Sequence, residues 1–263
     1  MELKILNCTY HDTSINIDIK SNNITGITGI SNTNIEKVLS YLEIGKHQII
    51  IDNVKLTKDN VYDYRKKISL VSPYLPDYSF VSTVQELMNY KIKQYNLSMK
   101  DEDKKIKDSL RIVGLDENYL LRSIRQLSTS EKKLLQISIS LLSNPEIIIV
   151  EEPFENLDTK NEKKLMMLFQ RLKEQFHKTI IFISNDSNIL YKYTNEMIFI
   201  KKDKIILTGA TNETYLRVDY LNRNKFSIPD IVKFTYLAKK KKQVKIDYHK
   251  DIRDIIKDIY KHV

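Results

Sequence analysis

Residues 127–158 read LSTSEKKLLQISISLLSNPEIIIVEEPFENLD, and the reading of this stretch decides the fold. Ser128 stands three residues before Glu131, the spacing at which a serine and a glutamate cap the start of a helix reciprocally. The segment that follows, through Leu134 and Ile137, is an amphipathic helix. Ile147 to Val150 then form an apolar strand that delivers the acid pair Glu151-Glu152 to its end. A turn closes on Leu157-Asp158.

The pattern continues in both directions. Downstream, KNEKKLMMLFQRLKEQF is predicted to be a helix and TIIFIS a strand. A short helix is expected near Ile189 to Tyr193, and MIFIKKDKIILTG reads as a hairpin. Upstream, Leu3 to Tyr10 and Ser14 to Lys20 alternate like strands. ITGITGI suits a buried parallel strand, and a helix is expected from about Ile35 to Leu42. His47 to Leu56 reads as one further strand and Ile68 to Val71 as a buried one. From Ser82 to Ser143 the pattern is helical, with Val84, Leu87 and Met88 on one face. Strands joined by crossover helices imply an α/β fold on a largely parallel, mixed sheet, with the helical insertion hung from it as a subdomain. The expected division is a main domain over residues 1–222, its helical subdomain at about 80–143, and a C-terminal extension over 223–263. In the extension, Pro229 opens a helix bearing Ile231, Val232, Phe234, Tyr236 and Leu237, and Ile252, Ile255, Ile256 and Ile259 stripe a second helix. Such stripes either fold back on their own domain or form a subunit contact.

The chain has 263 residues, 41% of them hydrophobic, which is enough for a full core. Its formal net charge of +9 suits either an anionic partner or a lysine-rich solvated surface. Cys8 is the single cysteine, so an intrachain disulfide is excluded. The N-terminal residues lack a charged segment followed by an apolar run, and no stretch approaches the roughly 18 apolar residues of a membrane span. The expectation is a cytoplasmic protein that meets a membrane only through a partner.

After ITGIT the sequence runs Gly29-Ile30-Ser31-Asn32-Thr33-Asn34-Ile35-Glu36-Lys37. A phosphate loop of the form G-x-x-x-x-G-K-[ST] places backbone N–H groups around phosphates, a lysine on their oxygens and a hydroxyl on Mg²⁺. Gly29 fits the first glycine. Asn34 stands for the second, Ile35 for the lysine, and Glu36 and Lys37 for the Ser/Thr pair. Losing the lysine forfeits about 1.5–3 kcal/mol, or roughly one to two orders of magnitude in affinity. Glu36 brings a repelling carboxylate, and Thr33-x-x-Glu36 is itself a capping box that fills the helix start from within. At the other motif, Glu152 is the candidate general base. The alternative is that the acid pair only caps the solvent edge of the sheet.

On these residues the chain resembles the nucleotide-binding subunits of ABC transporters, and among them the energy-coupling factor type. The likeness covers about residues 1 to 220. LSTSE at 127–131 stands for the family's LSGGQ signature, and Pro145, Glu152-Pro153 and Leu157-Asp158 fall where the pattern expects them. The resemblance implies a P-loop NTPase-like cassette over 1–222, with adenine stacked on Tyr10, Glu151 in the Mg²⁺ shell, Glu152 polarising water and Asp158 in the D-loop. It implies ATP and Mg²⁺ as cofactors, a second cassette (a like copy or a different one) and a membrane subunit as partners, and a place at the inner face of the cell membrane.

The departures from the pattern are as informative. Ser72-Pro73 replaces the Q-loop glutamine, Asn185 replaces the switch histidine, and Thr129 and Ser130 replace both signature glycines, which sets Cβ atoms where the backbone should approach phosphate. There are 5 glycines in the whole chain, against a usual share of about 7%. Together these point to a degenerate cassette that binds ATP and Mg²⁺ weakly or not at all and pairs with an intact one. An active ATPase subunit is the alternative, resting on Glu152, Tyr10 and Asp158. A soluble cassette acting on RNA or ribosomes is the third, disfavoured because the positive charge is scattered lysine rather than clustered arginine and aromatics. In such a family each nucleotide lies between the phosphate loop of one subunit and the signature loop of the other. Ser128 could therefore still serve a partner's site, unless its hydroxyl is only a local cap.

Overall fold

The computed structural model describes residues 1–10, 13–29, 48–73, 75, 78, 80–97, 101–202, 204–242 and 247–261. The helix expected from Ile35 to Leu42 lies outside the described residues, as do Asn34, Ile35, Glu36 and Lys37.

Two sheets face each other. A four-stranded antiparallel sheet has the order β2-β1-β4-β5, from β1 (Leu3–Tyr10), β2 (Thr13–Ile19), β4 (Gln48–Ile51) and β5 (Val54–Lys55). A six-stranded sheet has the order β10-β9-β3-β8-β7-β6, from β3 (Ile24–Thr28), β6 (Ile68–Val71), β7 (Ile147–Glu151), β8 (Thr179–Ile183), β9 (Glu196–Lys201) and β10 (Lys204–Ala210). Strands β6, β7, β8, β3 and β9 run parallel, and β10 closes the edge antiparallel to β9. The expected α/β architecture is therefore present. One expectation needs correction: of the stretch from His47 to Leu56, the described part, from Gln48, is a tight hairpin rather than one strand. Asp52 and Asn53 both take positive φ, at 46° and 65°, the conformation of a two-residue turn between antiparallel strands.

Alternation along the buried strands divides the core. Ile147 and Ile149 of β7, Ile181 and Ile183 of β8, and Ile198 and Ile200 of β9 pack between the sheets with Leu3, Ile5, Ile17 and Ile19. Their neighbours Ile148, Val150, Ile180, Phe182, Met197 and Phe199 point to the other face and meet the helices, as a two-residue side-chain period requires. That second face is covered by α2 (Val84–Gln94), α3 (Glu102–Ile112), α4 (Thr129–Leu141) and α5 (Thr159–Phe176), after a first short helix α1 (Val61–Arg65). Phe154, Phe169 and Phe182 join α5 to the sheet edge-on, with ring centroids 5.1 to 6.5 Å apart.

The C-terminal helices α9 (Asp230–Lys242) and α10 (Ile252–Lys261) follow α6 (Ser187–Tyr193), α7 (Thr211–Tyr215) and α8 (Val218–Arg223). Parts of both apolar stripes fold back, since Val232 and Ile255 are buried, whereas Phe234, Ile252 and Ile256 remain exposed. Polar contacts fix the extension to the core. Asn188 of α6 and Asp230 exchange two hydrogen bonds of 2.7 and 3.0 Å, and the Lys250 ammonium donates to the Thr194 carbonyl at 3.1 Å.

Because Phe169 is fully buried in the aromatic cluster, Phe169→Ala is expected to cost about 3–5 kcal/mol. Met167→Ala, two residues earlier and on the solvent face of the same helix, should cost less than about 0.5 kcal/mol. Urea denaturation of the two variants checks the contrast.

Candidate nucleotide site and signature loop

Parallel strands bring their C-terminal ends to one edge, and that edge is where ligands bind in open α/β sheets. Here β8 lies between β3 and β7. Residues at the ends of the three strands, distant from one another in sequence, consequently become neighbours: Thr28-Gly29 at the end of β3, Glu151-Glu152 at the end of β7, and Ser184-Asn185 after β8.

Gly29 has φ +84°, and a Cβ built on it would come 1.9 Å from the Ile200 carbonyl oxygen. No other residue fits there without moving the backbone of β9. The Asn185 side-chain oxygen accepts hydrogen bonds from the Thr28 hydroxyl at 3.3 Å and the Gly29 N–H at 3.4 Å. The backbone N–H of Asn185 donates to one carboxylate oxygen of Glu152 at 3.2 Å, and the Ser184 hydroxyl donates to the other at 2.5 Å. Glu152 itself has φ 41°, a sparsely populated conformation for a residue with a side chain, held in place by its own N–H bond to the Ile183 carbonyl at 2.8 Å. Of the residues singled out in the sequence, Gly29, Glu152 and Asn185 thus form one connected network.

Glu151 ends β7 and is 9% exposed. Mg²⁺ is ordinarily held by one or two carboxylates with phosphate and water completing the shell, and a carboxylate at this strand end suits that chemistry. Among the described residues no three His, Cys, Asp or Glu side chains gather around one point, so any such ion would take most of its ligands from nucleotide and solvent. Tyr10 ends β1, paired with Thr13 across the hairpin. Pro73 lies just past β6, after Ser72.

The signature loop is organised by the expected capping box. Ser128 accepts from the Glu131 N–H at 3.3 Å, while a Glu131 carboxylate oxygen accepts from the Ser128 N–H at 2.8 Å and from the Ser128 hydroxyl at 2.9 Å. The other carboxylate oxygen accepts from the Tyr119 hydroxyl at 2.7 Å and Arg122 at 3.2 Å. The Tyr119 hydrogen bond, more than any other contact, holds the Glu131 carboxyl below its usual pKa, with the Ser128 backbone next. The one hydroxyl proton of Ser128 is therefore directed at its own cap. Asp158 caps α5 in turn, accepting from Lys160 N–H at 2.9 Å and Asn161 N–H at 2.8 Å. The backbone bond from Asn161 is the main cause of its lowered pKa. The Asn161 amide also donates to the Ser130 hydroxyl at 3.2 Å, so the serine that stands for a signature glycine joins the two loops.

Sequence reasoning missed Ser184, Asn161 and Lys133. Lys133 is 3% exposed, and its ammonium donates to the Glu151 carbonyl at 2.8 Å and the Ser72 carbonyl at 3.3 Å. Burial lowers its pKa to about 8, opposed by the nearby carboxylates of Glu155, Glu151 and Glu152. One signal was available: Lys133 lies four residues before the fully buried Ile137 and so shares its face.

A family model described as ABC transporter matches residues 13–155, more than half of the chain. The chain belongs to the ABC transporter family. It is 30% identical over 237 residues to the energy-coupling factor transporter ATP-binding protein EcfA2 of Clostridium tetani, covering 87% of this cassette and 81% of that protein. The protein of the same description from Enterococcus faecalis is 27% identical over 228 residues, covering 84% and 79%. The fold agrees with that of cbiO1 from Clostridium perfringens, described as part of the ABC transporter complex cbiONQ. That structure matches with TM-score 0.70 and 23% identity, over 89% of this cassette and 98% of that chain. A second match, at TM-score 0.64 and 23% identity over 80% and 98%, is an ATP-binding cassette dimer in a post-hydrolysis state bound to ADP and Pi. The cassette is an ABC transporter ATP-binding subunit of the energy-coupling factor type. No helix among its described residues is long and apolar enough to cross a membrane.

Glu131→Gln tests the capping arrangement through pH. A carboxyl whose pKa is lowered by folding contributes stability that is present above its unfolded value of about 4.3 and is lost as pH falls through the lower folded value. The stability gap between the native cassette and the variant should therefore be widest at neutral pH and close on acidification below about pH 4. Denaturation midpoints at several pH values read it directly.

Proposed function

We propose that this cassette is catalytically degenerate and pairs with an intact cassette, supporting a membrane transporter subunit rather than supplying the hydrolysis itself. The observation that carries the reading is the state of Glu152. Both of its carboxylate oxygens are bound within the chain, one by the Ser184 hydroxyl and the other by the Asn185 N–H. A general base must reach the proton it removes, and here the two oxygens are held by the segment that carries Asn185 in place of a histidine. The departures at Ile35 and Glu36 favour the same conclusion, because neither side chain attracts a phosphate.

The remaining roles follow from that reading. Bound Mg-ATP would supply an electrophilic γ-phosphorus and a charge-neutralising ion. Of this chain's residues, Tyr10 would stack the adenine, Gly29 would open the phosphate loop, and Glu151 would face the ion. Pro73 and Asn185 occupy the Q-loop and switch positions without the side chains that hydrolysis calls for. Asp158 shapes the D-loop by capping α5, and Ser128 with its helix N-terminus is the part left to face a partner's nucleotide. Residues 1–222 would act as the nucleotide-binding domain and 223–263 as an appended unit. The subunit would sit at the inner face of the cell membrane, held by its membrane partner. Relatives named as energy-coupling factor proteins and one named as part of a transporter complex support this placement.

Titration calorimetry with Mg-ATP tests the proposal. The expected result is no heat of binding below a millimolar dissociation constant, about 4 kcal/mol of binding free energy. A constant in the low micromolar range would overturn it. Ile35→Lys combined with Glu36→Ser should raise the affinity by roughly one to two orders of magnitude.

A further inference from the structure

Lys133 has no part in the function proposed so far, and its surroundings give it one. The ammonium is buried, 3% exposed, although a lysine is rarely placed so without a task. Its two carbonyl partners lie at the ends of neighbouring parallel strands: Glu151 closes β7, and Ser72 follows β6, whose last residue Val71 pairs with Val150. A neutral apolar side chain of the same length would fill the space and leave both carbonyls short of a donor. The nearby carboxylates of Glu155, Glu151 and Glu152 favour its charge against the larger effect of burial. On the other side, Lys133 is fixed to α4, five residues and about 7.5 Å of helix rise after Ser128.

We propose that Lys133 is a positioning residue that binds the signature loop to the acid-bearing end of β7 and to the Ser72-Pro73 segment, so that the three move as one body. The inference rests on the cassette reading for its consequence: the loop offered to a partner's nucleotide is mechanically tied to the acid pair of this chain's own site. A single charged side chain performs the tie between the trans-facing helix and the cis-facing strand ends. Ser130, held by Asn161, adds a second link from the same loop to the segment after the acids.

Amide hydrogen exchange of the full chain tests the proposal without nucleotide or partner, so its failure is separate from failure of the functional reading. Lys133→Met keeps the length and removes the donors and the charge. Exchange in peptides covering 126–132 and 151–158 should accelerate at least about tenfold, while a control peptide over β9 and β10 stays within about twofold. Lys133→Gln, which retains a donor for one carbonyl, should lie between. Unchanged exchange at the two sites, or an equal rise throughout the chain, would overturn the proposal. So would failure of both variants to fold, because Lys133 would then be a general core residue.

Discussion

Asn185 makes the contacts on which the site depends. Its side chain accepts from Thr28 and Gly29 at the end of β3, and its backbone N–H reaches Glu152 at the end of β7. The two strands do not touch each other; β8 stands between them. A residue just past the end of β8 is therefore the short route from the Thr28-Gly29 end of β3 to the acid pair at the end of β7. With Ser184 taking the second Glu152 oxygen, the network is closed on itself. The network stabilises this edge of the sheet, and each Glu152 oxygen in it accepts one hydrogen bond from within the chain.

The same economy governs the signature loop. A capping serine and glutamate satisfy each other, Tyr119 and Arg122 hold the glutamate from outside, and Asn161 holds Ser130. Glycines at 129 and 130 would leave the backbone open to an incoming phosphate, whereas Thr129 and Ser130 fill that space with side chains. At both places the polar groups named here bind within the chain itself. The apolar framework beneath is indifferent to this exchange, because its stability comes from the two faces of the parallel sheet.

Most of that framework was legible in the sequence. Runs such as Ile147 to Val150 and Ile180 to Ile183 are apolar at every position, which a strand covered on both faces requires, and the Ser128–Glu131 capping box announced the start of α4. The His47 to Leu56 stretch misled because its isoleucines continue to Leu56 across Asp52-Asn53, although that pair is itself the turn signal. Strand order was not legible: nothing local says that β8 inserts between β3 and β7. For that reason Glu152 and Asn185 were recognisable by their places after β7 and β8, while the contact between them and the part played by Ser184 were not. Lys133 escaped for a different reason. Lysines near a helix start are usually solvated, and only the carbonyls of two folded strand ends account for a buried one.

The central claim is that this cassette keeps the frame of an ATPase with its base engaged elsewhere. The most direct measurement is the steady-state ATP hydrolysis rate of the purified chain beside its Glu152→Gln variant, each at saturating Mg-ATP and equal purity. The account predicts rates that agree within about twofold, because Glu152 removes no proton in the native chain. A native rate more than about tenfold above the variant, or 1.4 kcal/mol at the transition state, would contradict it.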